Sequence, residues 1–211
     1  MGCRNCYSVF FNKKEIIKLT GVSDYPHLRE KKLPNCDLIF SIIDQGISVR
    51  VRIARNFKNR FFGSNQIELL AFMDRFLQFP ECKAFESYGK VHAFDEDHIR
   101  AEYFLGYGFQ KLINFPTIFY NKDIFEYNHT YGYLTKCPTN SGRGNKISFK
   151  VPLGKFSKKI SISELENKYR KFISFKDSSY IILFIKNFNK NRLRNFTYFI
   201  WNVVLGNSIN P

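Results

Sequence analysis

The stretch YGYLTKCPTNSGRG, residues 131–144, decides how the rest of the chain is read. Its first half, YGYLTKC at 131–137, alternates like a strand until Pro138 stops the pattern, since proline cannot donate to a ladder. Thr139 and Asn140 follow, with side chains that bond locally to a turn backbone. Cys137 therefore stands where a strand gives way to a loop of small polar residues. A thiolate placed there can meet a cationic group such as a guanidinium; the plain alternative is an inert, buried cysteine.

Two further fragments bear on that choice. In SVRVRIARN, residues 48–56, Arg50 and Arg52 alternate with Val51 and Ile53, so a strand would turn both guanidinium groups to one face and the apolar residues to the other. Two planar forks on one face make a clamp for phosphate oxygens, against the alternative of a merely basic outer face. In FDEDHIR, residues 94–100, the carboxylates Asp95, Glu96 and Asp97 stand beside His98 and Arg100. Clustered carboxylates raise one another's pKa and can position or deprotonate a cationic substrate, while Arg100 offers a third phosphate contact. The alternative is a solvated acidic loop with a structural histidine.

The surrounding chain supplies a frame for these loops. NQIELLAFMDRFLQF, residues 65–79, places Ile67, Leu70, Phe72, Met73, Phe76 and Leu77 at helical spacings behind a cap at Asn65, a core stripe. YGKVHAF at 88–94 and KISFKVP at 146–152 alternate as strands, and YIILFI at 180–185 reads as a buried one. SELE at 163–166 fits a capping box for a helix to Arg170, and a last helix is expected around 195–205. Residues 1–36 read as an irregular arm with one short helix at 12–19, and 37–211 as one domain of mixed α+β class rather than alternating βαβ units.

Composition narrows the function classes. Thirty-three Lys and Arg against 18 Asp and Glu give +15, a charge that attracts polyanions; outside the arginine cluster it reads as a solvated basic surface, with no specific nucleic-acid partner expected. The five cysteines at 3, 6, 36, 82 and 137 repeat no spacing, which fits free thiols in a reducing compartment, so a cytoplasmic location is expected. Cys3 and Cys6 have no second pair with which to hold zinc, and no metal site is assigned. The opening MGCRNC offers Gly2 to myristoylation and its cysteines to palmitoylation, but Cys6 stands where the acceptor pattern calls for Ser or Thr. No run approaches the ~20 apolar residues of a membrane span.

Taken in order, the three fragments resemble the catalytic domain of the phosphagen kinase family: creatine kinases, arginine kinases and bacterial protein-arginine kinases. Ser48 to Arg55 is similar to the family's S-x-R-V-R-x-x-R strand, Phe94 to Arg100 to its N-E-E-D-H-[LI]-R loop, and Gly132 to Gly144 to its G-[YF]-L-T-x-C-P-[TS]-N-x-G-[TR]-G strand and loop. FIKNFNKNRLRNFTYF, residues 184–199, resembles the family's I-S-N segment in spacing, and ARN with YLTKCPTN looks closest to the protein-arginine kinase branch. The resemblance implies a curved, mostly antiparallel sheet flanked by helices, the glutamine-synthetase-like layout, in truncated form. It implies transfer of the γ-phosphate of ATP to a guanidinium, of protein arginine or a free guanidino compound. Arg50, Arg52 and Arg100, with Lys146 and Arg170, would hold the ATP phosphates with Mg²⁺ bridging them. Glu96 would orient and deprotonate the guanidinium, with Cys137 against it as thiolate.

The departures from the family pattern are also specific. Lys146 stands where the family has an arginine, Lys150 where it has a histidine, and Asp95 replaces the first carboxylate of its loop. The family's glycine-rich R-G-x-x-G-E loop corresponds to RKFISF at 170–175, where only Arg170 remains, and bulky side chains there oppose closure of a lid. Residues 1–36 show no counterpart of the family's small helical N-terminal domain. These departures define a rival expectation, a pseudoenzyme of the same fold that binds nucleotide or a protein partner without turnover. A third, from a different class, is a basic polyanion-binding module.

Overall fold

A computed structural model describes residues 36–60, 66–93, 97–105, 115–157 and 160–206. The expected arm and its helix at 12–19 lie outside these residues, except that Cys36 opens a helix. Helix α1 (Cys36–Asp44), strand β1 (Ser48–Arg55), helices α2 (Gln66–Leu77) and α3 (Pro80–Glu86), and strands β2 (Lys90–Ala93) and β3 (Ile99–Leu105) come first. The short β4 (Tyr127–Asn128) and β5 (Gly132–Tyr133) follow, then β6 (Asn145–Pro152), α4 (Ile162–Tyr169), β7 (Ile173–Lys176), β8 (Tyr180–Lys186) and α5 (Lys190–Phe199). Six strands form one sheet in the order β2-β3-β1-β6-β8-β7, and β4 pairs with β5 apart from it. The β2–β3, β6–β8 and β7–β8 pairings are antiparallel. The class is the expected one, α+β with a mostly antiparallel sheet flanked by helices.

The chain divides into two compact units: 52–103 with 115–145, and 36–51 with 104–105 and 146–206 among the described residues. The first is built around aromatic rings. Phe57, Phe76, Phe85, Phe119 and Phe125 are all sealed from solvent, and Phe57 meets Phe72, Phe76 and Phe125 at centroid distances of 4.8, 5.4 and 5.4 Å. Such pairs add ~0.5–1.5 kcal/mol each beyond the burial of their area. The helical stripe on α2 is rotated from the expected one: Leu69, Met73 and Phe76 are buried, whereas Ile67 and Leu70 are 77 % and 48 % exposed. Residues 69, 73 and 76 follow the i, i+4, i+7 rule for one face, and positions 67 and 70 fall off it.

The second unit packs Ile147, Phe149 and Val151 of β6 and Ile181, Leu183 and Ile185 of β8 with Leu193, Phe196 and Ile200 in one buried set. Phe149 meets Phe196 edge-on at 5.7 Å. The strict alternation along β8 is the period-2 signal of a strand with one buried face. The cap of α4 lies two residues before the expected one, since Ser161 Oγ accepts from the Glu164 amide at 3.1 Å; the sequence holds two overlapping S-x-x-E patterns, and the earlier one starts the helix. The last helix also starts earlier than expected, at Lys190, where Asn189 Oδ1 caps the Arg192 amide at 2.9 Å.

Candidate active site

Strand β1 behaves as its alternation requires. Val49, Val51 and Ile53 are fully buried, while Arg50 and Arg52 between them are half-buried, so both arginines occupy the opposite face. Arg52 belongs to the first unit and Arg50 to the second. On β3, Ile99, Ala101 and Tyr103 point to the core, leaving Arg100 and Glu102 on the other face. His92 of β2 lies opposite Arg100 in the ladder. Glu102, which sequence reading did not single out, has its carboxylate 3.2 Å from His92 Nε2 and forms an ion pair with Arg100 Nε at 3.6 Å. Arg100 thus stands as a phosphate-binding candidate with the Glu102 carboxylate beside it.

The end of the loop that leads into β3 is anchored by two buried polar side chains. Asp97 is 2 % exposed, its Oδ1 accepting from the Cys137 amide at 3.3 Å and its Oδ2 from Asn140 Nδ2 at 2.8 Å. His98 is fully buried, its Nδ1 accepting from the Phe57 amide at 3.0 Å and its own amide donating to Asn56 Oδ1 at 3.0 Å. Burial pushes the imidazole below its ordinary value, with the Asp97 carboxylate acting in the opposite sense and Lys136 adding to the fall. The histidine of this loop is therefore structural, the reading the sequence left open. Glu96 and Asp95 lie outside the described residues.

That arrangement carries a pH dependence. Because His98 binds its proton more weakly in the fold than in the unfolded chain, unfolding takes up a proton as pH falls through about 6.5, and stability declines on the acid side. The thermal midpoint should fall between about pH 7.5 and 5.5, and His98→Asn, which keeps an acceptor for the Phe57 amide, should flatten that slope. An equal slope in the variant would show that other groups carry it.

Cys137 lies beyond the strand expected to hold it. Only Gly132–Tyr133 pair as β5; a short 3₁₀ turn at Pro138–Asn140 follows, with Cys137 at its N-terminal end. The strand is cut short because residue 133 pairs back on the loop: Tyr133 and Gly142 exchange both backbone hydrogen bonds, at 2.8 and 2.9 Å. Gly132, at φ +80°, lies against the backbone of Gly142, so a Cβ there would overlap it. The Cys137 carbonyl accepts from the Asn140 amide at 2.9 Å and from Thr135 Oγ1 at 2.7 Å. The half-buried Cys137 contrasts with Cys82, whose thiol burial, aided by Glu81 and Glu86, pushes up to about 12.

The far end of the same loop rests on Arg55, the last residue of β1 and one that sequence reading assigned no role. Its side chain is fully buried, with Nε donating to the Phe119 carbonyl and Nη1 to the Ala54 carbonyl, both at 2.8 Å. The guanidinium lies 3.7 Å from the Tyr133 ring centroid and 5.6 Å from that of Tyr120, cation–π contacts that replace a counter-ion. Burial lowers it to about 10, against the partial support of both tyrosines. Gly144 passes beneath at φ +68°, where a Cβ would overlap Arg55 Nη1 and approach the Ala54 carbonyl to 2.9 Å.

Lys146 and Arg170 belong to the second unit. Lys146 Nζ lies 4.1 Å over the Phe184 ring, in line with Lys150 Nζ at 3.8 Å over Tyr180. Arg170 is exposed in a 3₁₀ turn that leads directly into β7. A cavity of about 630 Å³ nearby, lined by Phe172, Phe184, Lys186, Arg192 and Phe196, includes neither of them. The structure thus brings Asp97 and Cys137 together in one unit with Arg52 and Arg100, while Arg50, Lys146 and Arg170 belong to the other.

Residues 95–174 match the sequence model of ATP:guanido phosphotransferase, C-terminal catalytic domain. Over this segment the chain is similar to that catalytic domain. Asp97, His98, Arg100, Cys137, Lys146 and Arg170 all fall inside the matched segment, while the β1 arginines precede it. No curated protein matches the chain. Among solved structures it is similar to the duplicated taurocyamine kinase from Schistosoma mansoni. With the form holding transition state analog components it shares 12 % identity at a TM-score of 0.47, over 87 % of this chain and 36 % of that one. With the substrate-free form it shares 16 % identity at a TM-score of 0.36, over 80 % and 33 %. The chain thus spans about a third of the length of these kinases. No helix among the described residues is long and apolar enough to cross a membrane.

Proposed function

We propose that the chain transfers the γ-phosphoryl group of ATP to a guanidinium, with protein arginine favoured over a free guanidino compound because ARN and YLTKCPTN look most like the protein-arginine branch. The supporting observation is the join between the two most specific motifs of the phosphotransferase segment, in which the carboxylate of Asp97 holds the turn that carries Cys137. In this reading Arg50, Arg52 and Arg100 grip the triphosphate, helped by Lys146 and Arg170. Glu96 binds the guanidinium and removes a proton from it, and the Cys137 thiolate faces the same cation. Phosphoryl transfer needs alignment and positive charge around the moving group more than covalent help. The arginine forks fit phosphate, and no cluster of three or more metal-ligating side chains gathers among the described residues, so Mg²⁺ would be held mainly by the nucleotide's phosphates, where it neutralises charge.

One observation favours a second reading, a nucleotide- or partner-binding protein without turnover: where the family's glycine-rich lid would lie, residues 173–176 form strand β7, paired to β8. The deciding experiment offers γ-labelled ATP and Mg²⁺ with free arginine or with an arginine-rich protein, scoring acid-labile label. Label on one acceptor establishes the kinase and its acceptor class. A folded sample that binds ATP and labels neither leaves the second reading.

A further inference from the structure

We infer that Asp97 is the positioning residue of the thiol: it does not meet the substrate but latches the Cys137 turn to the loop that precedes β3. This role rests on the proposed phosphotransferase reading of Cys137. Sequence alone placed Asp97 among three clustered carboxylates able to handle a cation. Its 2 % exposure removes it from that task, and both of its oxygens point into the turn, Oδ1 to the amide of Cys137 itself and Oδ2 to Asn140, the residue that closes the turn. The Asn140 amide in turn donates to the Cys137 carbonyl at 2.9 Å, so the thiol-bearing residue is held through both its backbone groups. Hydrogen bonds to an ionised carboxylate are the stronger kind, and burial raises the cost of losing either partner. On the other side the same loop is fixed by His98, through the Phe57 amide and Asn56. A latch between segments 40 residues apart, seated on such a base, sets where the thiol stands; the neighbouring Thr135 and Ser141 hydroxyls brace the turn from within, Thr135 Oγ1 donating to the Cys137 carbonyl.

The test uses iodoacetamide labelling of the native full chain, read residue by residue by peptide mass mapping, together with transfer kinetics. Asp97→Ala should speed labelling of Cys137 about tenfold or more while Cys82, buried in the same unit, stays at its wild-type rate. Asn140→Asp sets two carboxylates against each other and should do the same. The exchange Asp97→Asn with Asn140→Asp restores a donor–acceptor pair and an acceptor for the Cys137 amide, and should return labelling to within about twofold of wild type, a non-additivity that a contact at this site requires. In transfer assays Asp97→Ala should lower kcat with little change in KM for ATP, and the exchange should recover it. Parallel acceleration of Cys137 and Cys82 would mean general loosening and would overturn the latch, as would an exchange variant no better than either single change. A wild type that transfers no phosphoryl refutes the proposed function, while the labelling arm still decides whether Asp97 sets the thiol.

Discussion

Glu96→Gln is expected to reduce phosphoryl transfer by ~10²–10⁴-fold in kcat, the range that a positioned general base supplies. Asp97 is tied to the Cys137 turn, and Glu96 precedes it directly in the sequence. Among the carboxylates of the loop, Asp97 has both oxygens committed to protein donors, which leaves the proton-removing task to Glu96 in this reading. A protonated guanidinium is a poor nucleophile, and glutamine keeps the size of the side chain while removing its capacity to take a proton. KM for ATP should change little, because the phosphate contacts are assigned to the arginines, and the glutamine variant should lose the acidic limb of the pH–rate profile. Activity within about threefold of wild type would assign the base elsewhere or point to a contaminating kinase.

Phe57→Ala should cost about 3–5 kcal/mol, the usual range for truncating a buried phenylalanine, against a total of about 5–15 kcal/mol for a domain. The ring is 1 % exposed and stacks on Phe125, edge to Phe72 and Phe76, so little can collapse into the space it leaves. It also stacks with His98 at 6.0 Å while its amide donates to that residue, which makes the loss reach the Asp97 loop as well as the core. The denaturant midpoint is best read by Cys82 reactivity, since that thiol is sealed within the first unit, while the single tryptophan, Trp201, reports the second. Phe79→Ala, at a ring 43 % exposed, serves as the control and should lose less than about 1 kcal/mol. A Phe57 variant that matches the control would show that the aromatic cluster yields without penalty.

What the sequence disclosed was governed by distance along the chain. The alternation is a local period-2 signal and survives along all of β8 and along β1 as far as Ile53, with Arg50 and Arg52 out and the valines in, while β6 also buries Ser148 between Ile147 and Phe149. The strand drawn through Cys137 fails because residue 133 turns back to pair with Gly142, a contact that periodicity does not encode. The roles of Arg55, Asp97 and Glu102 were illegible for the same reason: each acts on a partner from another segment, Arg55 on Phe119 across 64 positions and Asp97 on Asn140 across 43. The residue types gave the three carboxylates of the loop one chemistry and the resemblance singled out Glu96, whereas the burial and bonding of Asp97 mark it as an anchor. The placement of Glu96 and the gathering of Arg50, Lys146 and Arg170 around a triphosphate stay within the proposal.

The loop from Cys137 to Gly144 is fastened at its start by Asp97, at residue 142 by the Tyr133 backbone, and at residue 144 by the Ala54 amide at 3.1 Å beneath the buried Arg55. For anyone diversifying this protein, that spacing acts as a ruler of fixed length. Insertions or deletions between these fasteners should fail in a library, whereas the exposed Pro138 and Arg143 are the positions where new side chains can be explored without disturbing the measure.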